Sequence, residues 1–368
     1  MADPIFDTIV IGGGQTGLTV GHELAKTGRT FVILDASTRV GDAWRNRWDS
    51  LVLFTPAGFS GLPGMDFPAA KDRFITKHEA GDFVESYARE MGLPVLSGTK
   101  VERLTKEDDL FRAETAGEVF SARNVVVAMA NYQEPKVPVF AGELDPSITQ
   151  IHTADYRNPD SVGEGPTLVV GMGNSGAEIG LELARSRQTY LSGKPTAVIP
   201  FNIESWFGRK IGSKLVRFFA TRVLTTTTPI GRRARPKMLQ RAAPVVRAKP
   251  KDLARAGVER VPRVTGVRDG LPELADGRAL DVRSVVWCTG YQRGFKWIDL
   301  PVFGDDGRPR HHRGIADDVP GLYFCGLFFQ HSFWSETFPG MPRDARYVVE
   351  HLENRAIVGA HVDAPSGA

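Results

Sequence analysis

Cysteine is scarce: Cys288 and Cys325 are the only two in 368 residues. They form no CxxC and no metal-ligand spacing, so neither a redox dithiol nor a cysteine-held zinc is expected. Each ends an apolar run, Val285-Val286-Trp287-Cys288 and Leu322-Tyr323-Phe324-Cys325, where a buried free thiol is expected. Long hydrophobic runs are missing as well, and nothing approaches the ~20 apolar residues of a membrane-crossing helix. Asp3 stands where a secretory leader carries its positive charge, so no signal peptide is expected, and the location expected is cytoplasmic. There is no GxSxG elbow, and His311-His312 lies in an Arg/Gly-rich loop without metal-motif spacing. Neither a serine nucleophile nor a metal centre is expected.

Acidic residues vanish from one stretch. Between Ser205 and Lys251 thirteen of the forty-six Lys and Arg occur without one Asp or Glu. The thirty-three bases elsewhere face forty-three acids, so the rest of the chain carries about −10. Inside the stretch Ile211, Leu215, Phe218 and Phe219 recur at helical spacing among Lys214, Arg217 and Arg222. Such a helix is expected to dock on its own domain and show a solvated basic face; peripheral membrane contact or an acidic partner is the lesser alternative. No nucleic-acid motif accompanies it. Its field also favours the approach of an anionic coenzyme.

What is abundant is glycine, and it is concentrated in two fingerprints. Ile11-Gly12-Gly13-Gly14-Gln15-Thr16-Gly17 and Val170-Gly171-Met172-Gly173-Asn174-Ser175-Gly176 both read GxGxxG, follow an apolar strand-like run and open a helix-like stretch. The first Gly permits a tight turn, the second bares backbone for a pyrophosphate, and the third lets helix and strand pack closely. The phosphates then meet the free N–H groups of a helix N-terminus. Two such units imply two dinucleotides. After the first, the strand Thr30–Leu34 ends in Asp35, an acceptor for an adenosine ribose that repels a 2′-phosphate. After the second, Thr189-Tyr190-Leu191 ends in Ser192-Gly193-Lys194, a hydroxyl, a glycine and a cation suited to that phosphate. The asymmetry reads as FAD first and NADPH second.

Strands and helices alternate as in a doubly wound α/β protein with two Rossmann-type domains. The expected division is 1–156 for the first part of the FAD domain, 157–281 for an inserted NADPH domain carrying the basic stretch 205–251, and 282–368 for the return to the FAD domain. The run Phe328-Phe329-Gln330-His331-Ser332-Phe333-Trp334 follows the last expected sheet strand, where open α/β sheets place ligands. Gln330, His331, Phe333 and Trp334 are therefore the candidate substrate-pocket residues.

Nearly the whole chain resembles the flavin-containing monooxygenase superfamily, in a short bacterial form similar also to the plant auxin-forming enzymes. The resemblance rests on Gly41-Asp42-Ala43-Trp44-Arg45, Trp48-Asp49-Ser50-Leu51, Gly171 to Glu178, His152, Tyr156, Cys288-Thr289-Gly290-Tyr291 and His312-Arg313-Gly314. It departs at Pro146 and Ile148, where Phe and Gly are usual, and at Ala128-Met129-Ala130, which replaces an Ala-Thr-Gly turn. Phe54-Thr55-Pro56 stands where animal-type members have an asparagine near the flavin. By this resemblance Trp44 and Arg45 belong to a flavin-contacting loop, and the backbone of Val101 meets the adenine of FAD. It implies an NADPH- and O₂-dependent monooxygenase acting through a C4a-(hydro)peroxyflavin on a small hydrophobic amine, sulfide, ketone or 2-oxo acid. A flavin reductase passing electrons to a quinone, ferredoxin or other diffusible acceptor is the alternative. The cofactor carries such chemistry, so no catalytic side chain is expected, and His152 reads as a structural residue at a domain junction.

Overall fold

Near-continuous apolar runs, buried on both faces, build the first sheet. The computed structural model describes residues 4–129, 132–240 and 243–362. In it Ile5–Ile11 lies at the centre of a parallel set, between Val119–Val127 and Phe31–Leu34. Leu322–Phe324 extends the set on one side and Val95–Leu96 on the other. Successive side chains leave a strand on opposite faces. Val10, Ile33, Val126 and Tyr323 therefore enter one core, against helices Gln15–Ala25, Lys77–Glu90 and Met341–Val362. Ile9, Ile11, Val32, Leu34, Val125, Val127 and Phe324 enter another, with Leu104, Phe111 and Phe295.

The second sheet is wholly parallel, in the order Thr149–His152, Ser284–Trp287, Thr167–Val170, Thr189–Ser192, Glu259–Val261. Val169, Leu191 and Val286 face helix Asn174–Leu183, while Leu168, Val285 and Trp287 face the hairpin Val264–Arg268/Leu271–Leu274. This pairing corrects the expected boundaries at 156/157 and 281/282. Thr149–His152 and Ser284–Trp287 were assigned by sequence to the first domain, yet both hydrogen-bond within the second sheet. The two crossings between sheets pair with each other, Tyr291 opposite Pro135 and Gln292 opposite Glu134. Of the Ala128-Met129-Ala130 turn, Ala130 lies outside the described residues, as do residues 1–3 and 363–368 of the expected end segments.

Candidate functional site

Both glycine loops solve the same steric problem. Gly12 turns at φ +109°, and a Cβ there would lie 3.1 Å from the Ala128 carbonyl; Gly171 turns at φ +123°, with Cys288 O only 2.1 Å from its Cβ position. A Cβ on Gly17 would sit 1.8 Å from Gly12 O, and one on Gly176 would sit 1.8 Å from Gly171 O. Strand and helix thus touch backbone to backbone in each unit. Gly14 has the opposite environment, with nothing within 4 Å of its Cβ position. Helices Gln15–Ala25 and Asn174–Leu183 begin at Gly14 and Gly173 without a side-chain cap or an acid in the first turn. By contrast, Lys77–Glu90 carries a full capping box from Thr76 and Glu79. The two helices leave their N–H groups and positive dipole ends for an anion.

Around the first loop the residues divide by what their polar atoms already do. Gly13 N–H and Ser37 N–H donate to the two oxygens of Asp35, which keeps further lone pairs for a ribose. Gly98 N–H and Thr99 N–H donate to the carbonyls of Ser37 and Asp35, bringing the chain toward Val101, the buried start of strand Val101–Glu107. Trp44 Nε1 donates to Gln15 Oε1 at 3.1 Å, and its ring stacks on Phe338 at 5.9 Å. Arg45 does not fit the expected cofactor contact. Its guanidinium is taken by Asp82 (2.8 Å), Glu85 (2.7 Å), Asp42 (3.3 Å) and the Val40 carbonyl (2.8 Å). It braces the Trp44 loop against helix Lys77–Glu90.

Around the second loop, Ser192 is the correction. It is fully buried, donates to Pro262 O at 2.9 Å and accepts from Val264 N–H at 3.0 Å, so its hydroxyl is spent inside the sheet. Lys194 is exposed and makes no ion pair among the described residues. Sequence reading missed Arg260, whose strand pairs with Thr189–Ser192 in the register Leu191↔Arg260. Arg260 Nη2 reaches Met172 Sδ at 3.4 Å, and Met172 also packs against the Cβ position of Gly193. Only the register brings this cation to the loop; no local motif announces it. Asn174 braces the neighbouring segment, donating to Pro244 O and accepting from Val246 N–H, while Ser175 is partly exposed in the first helical turn. Glu178, on the same helix, is pushed up to about 7 by burial, against the pull of Arg247 and with a small push from Glu204.

The aromatic run splits in two. Phe333 and Trp334 line a narrow apolar cavity of about 70 Å³ together with Phe54, Pro56, Phe59 and Asn174. Trp334 lies 6.3 Å from the Phe54 ring. The cavity therefore joins the loop after strand Leu322–Phe324 to the start of the second fingerprint helix. Gln330 and His331 are not among its lining residues. The Gln330 amide is consumed by backbone: it accepts from Leu327 N–H and donates to the carbonyls of Phe324 and Arg313. His331 bonds Thr226 Oγ1 through Nδ1, and burial, then Arg343 and Arg313, lowers it to about 4. His152 is likewise engaged, accepting from Ala154 N–H at Nδ1 and meeting Gly290 O at Nε2.

The family model for pyridine nucleotide-disulphide oxidoreductases matches residues 9–194. An uncharacterized CzcO-like oxidoreductase of Geobacillus kaustophilus is 36% identical, over 95% of this chain and 99% of its own length. The chain belongs to this oxidoreductase family. It is also similar to YUCCA3 of Arabidopsis thaliana, a probable indole-3-pyruvate monooxygenase, at 28% identity over 94% of this chain and 86% of that protein. Among solved structures, the flavin-containing monooxygenase of Stenotrophomonas maltophilia superposes with a TM-score of 0.74 at 26% identity, covering 95% of this chain and 99% of that one.

The chain is thus a short flavin-monooxygenase-like oxidoreductase that uses FAD and NADPH. Its own geometry fits both cofactors: two uncapped helices at bare glycine loops, one beside a carboxylate and one beside cations. The disulphide part of the family name finds no dithiol here. Burial pushes the Cys288 thiol up to about 12 and raises that of Cys325, and both are free. No helix among the described residues is long and apolar enough to cross a membrane.

Proposed function

We propose that this oxidoreductase is an NADPH- and O₂-dependent monooxygenase that inserts one oxygen atom into a small hydrophobic substrate. In this reading the sheet spanning residues 149–287 belongs to an NADPH-binding unit inserted into the FAD-binding unit. Gly12, Gly14, Gln15 and Gly17 hold the FAD pyrophosphate, Asp35 the ribose, and the Val101 backbone the adenine. Trp44 flanks the flavin through its bond to Gln15. Gly171, Gly173, Ser175 and Gly176 hold the NADPH pyrophosphate, and Lys194 with Arg260 take the 2′-phosphate. When bound, FAD accepts hydride from NADPH and supplies the electrons that activate O₂.

The observation that carries the reading is the apolar cavity of Phe54, Pro56, Phe333 and Trp334, with Asn174 at its wall. It touches the second fingerprint helix and the loop after the last strand of the first sheet, which supports the reading that it shelters the reaction. Its apolar walls exclude water, which would otherwise divert reduced oxygen to peroxide. Asn174, held by two backbone bonds, fixes one wall rather than reacting. Among the described residues no side chain lining the cavity is a charged acid or base, consistent with a site that orients and dries rather than transfers protons.

The test is isotopic. The flavin-loaded enzyme is supplied with NADPH and ¹⁸O₂ and a panel of ring ketones, thioethers, tertiary amines and aryl 2-oxo acids. One ¹⁸O atom in a product, formed in step with NADPH consumption, is expected for at least one class. Rapid NADPH oxidation in which every electron pair goes to an added quinone or ferredoxin, with no labelled product from any class, would replace the proposal with a reductase.

A further inference from the structure

The helical run over residues 206–223 turns its large side chains away from the protein. Its inward face is small: Gly208, Gly212, Ser213 and Ala220 are buried. A Cβ on Gly208 would meet Asn202 O at 2.1 Å, and one on Gly212 would meet the Phe201 ring at 2.3 Å. The backbone therefore lies directly on the body of the molecule. Outward stand Trp206 (71% exposed), Leu215 (48%), Phe218 (56%) and Phe219 (54%), followed on the next helix by Ile230 (60%). More than half of the large apolar side chains exposed among the described residues fall between 206 and 230, so this is a patch and not scatter. It overturns the expectation that Ile211, Leu215, Phe218 and Phe219 dock inward.

The charges that residues 206–237 carry are all positive, and most are unspent. Lys210 pairs with Asp72 at 2.9 Å, Arg217 lies over the Phe59 ring at 4.5 Å, and Arg235 donates to Phe329 O. Lys214, Arg222, Arg232, Arg233 and Lys237 are exposed and make no ion pair among the described residues. A two-fold contact between copies through this helix would bring the same cations together and leave them unneutralised. A surface of lipid phosphates neutralises them, while their aliphatic stems lie along the apolar layer and Trp206 sits at the boundary. No helix among the described residues is long and apolar enough to span a bilayer, so in this proposal the run lies flat.

We propose that residues 206–237 form a peripheral docking face for anionic bilayers, with Trp206, Leu215, Phe218 and Phe219 inserted at headgroup depth. Flotation of the flavin-loaded enzyme with vesicles tests it, the yellow flavin marking the protein. Partition onto phosphatidylcholine vesicles containing about one third phosphatidylglycerol should exceed that onto phosphatidylcholine alone by about tenfold at low salt, and fall steeply near ~0.5 M salt. The combined variant Leu215→Glu, Phe218→Glu, Phe219→Glu should lose flotation yet keep its FAD and its NADPH oxidation, because all three positions are exposed. Lys214→Glu with Arg232→Glu and Arg233→Glu should abolish the preference for anionic vesicles. The proposal is overturned if the wild-type enzyme stays unbound at low salt, or if the triple Glu variant floats as well as the wild type. It is equally overturned if light scattering finds a dimer that the same variant dissolves, which would assign the face to a second copy.

Discussion

Gly14→Val separates what holds the fold from what holds the flavin. Gly14 has φ −73° and ψ −179°, extended backbone that any residue adopts, and its Cβ direction is empty to 4 Å. Stability of the apoprotein should therefore change by no more than about 1 kcal/mol, the scale of a helix N-cap preference. The same branched side chain would occupy the space a pyrophosphate needs above the uncapped helix. Two charge-assisted N–H bonds to phosphate, at roughly 1.5–3 kcal/mol each, amount to about 3–6 kcal/mol, or roughly 10²- to 10⁴-fold in Kd. Gly17→Ala should do the reverse, because its methyl would sit 1.8 Å from Gly12 O and must drive strand and helix apart. That overpacking should cost about 3 kcal/mol or more. The assay pairs thermal unfolding of the apoproteins with titration of FAD into each. A Gly14→Val protein that purifies fully flavinated, or an apo form as unstable as Gly17→Ala, would refute the assignment of this loop.

Three further outcomes follow from the second unit and the thiols. The wild-type enzyme should prefer NADPH over NADH by about ten- to a hundredfold, from charge-assisted contacts to one phosphate. Lys194→Ala with Arg260→Ala should remove that preference in steady-state kinetics with NADH rates unchanged; equal loss for both coenzymes would move the two cations off the 2′-phosphate. Glu178 holds its proton to about pH 7 when folded, against 4.5 unfolded, so the native state binds more protons across that window and stability falls as pH rises through it. Denaturation at pH 5 and pH 8 should show a decline of up to about 3 kcal/mol, absent in Glu178→Gln and flat above pH 7; a parallel decline in the variant would assign it elsewhere. Cys288→Ala with Cys325→Ala should keep NADPH oxidation within about twofold while losing roughly 1–2 kcal/mol of stability from the buried Cys325 site. Loss of electron transfer with folding and FAD intact would restore a thiol to the mechanism.

What the sequence disclosed and what it withheld differ by the range of the constraint. The glycine loops were legible because each requirement is met within six residues: a turn at Gly12 or Gly171, a contact from Gly17 or Gly176 back to that same turn. Asp35 was legible because it ends the next strand and bonds the loop directly. The sheet assignment of Ser284–Trp287 was not, since an apolar run reads alike beside either sheet and only its pairing with Thr149–His152 and Thr167–Val170 decides. Ser192 was misjudged and Arg260 missed for one reason: strand composition shows a hydroxyl and a cation, but not that the first is claimed by Pro262 and Val264 while the second reaches Met172. Gln330 deceived for a related reason. A polar residue amid aromatics suggested a ligand, yet the loop turns through Phe329 at φ +52° and needs an amide to satisfy the backbone of Leu327, Phe324 and Arg313.

The basic helix shows the sharpest form of this limit. Two stripes of helical period run along residues 206–223, one large and apolar through Ile211, Leu215, Phe218 and Phe219, one small through Gly208, Gly212, Ser213 and Ala220. Hydrophobicity favours burying the first. Gly208 and Gly212, however, let the backbone come within reach of Asn202 O and the Phe201 ring, a distance that no larger side chain permits. With the small stripe committed inward, the large one has only solvent or an external partner to meet. Period alone therefore defines two faces, and the close seat of Gly208 and Gly212 on Asn202 and Phe201 decides which of them the protein buries.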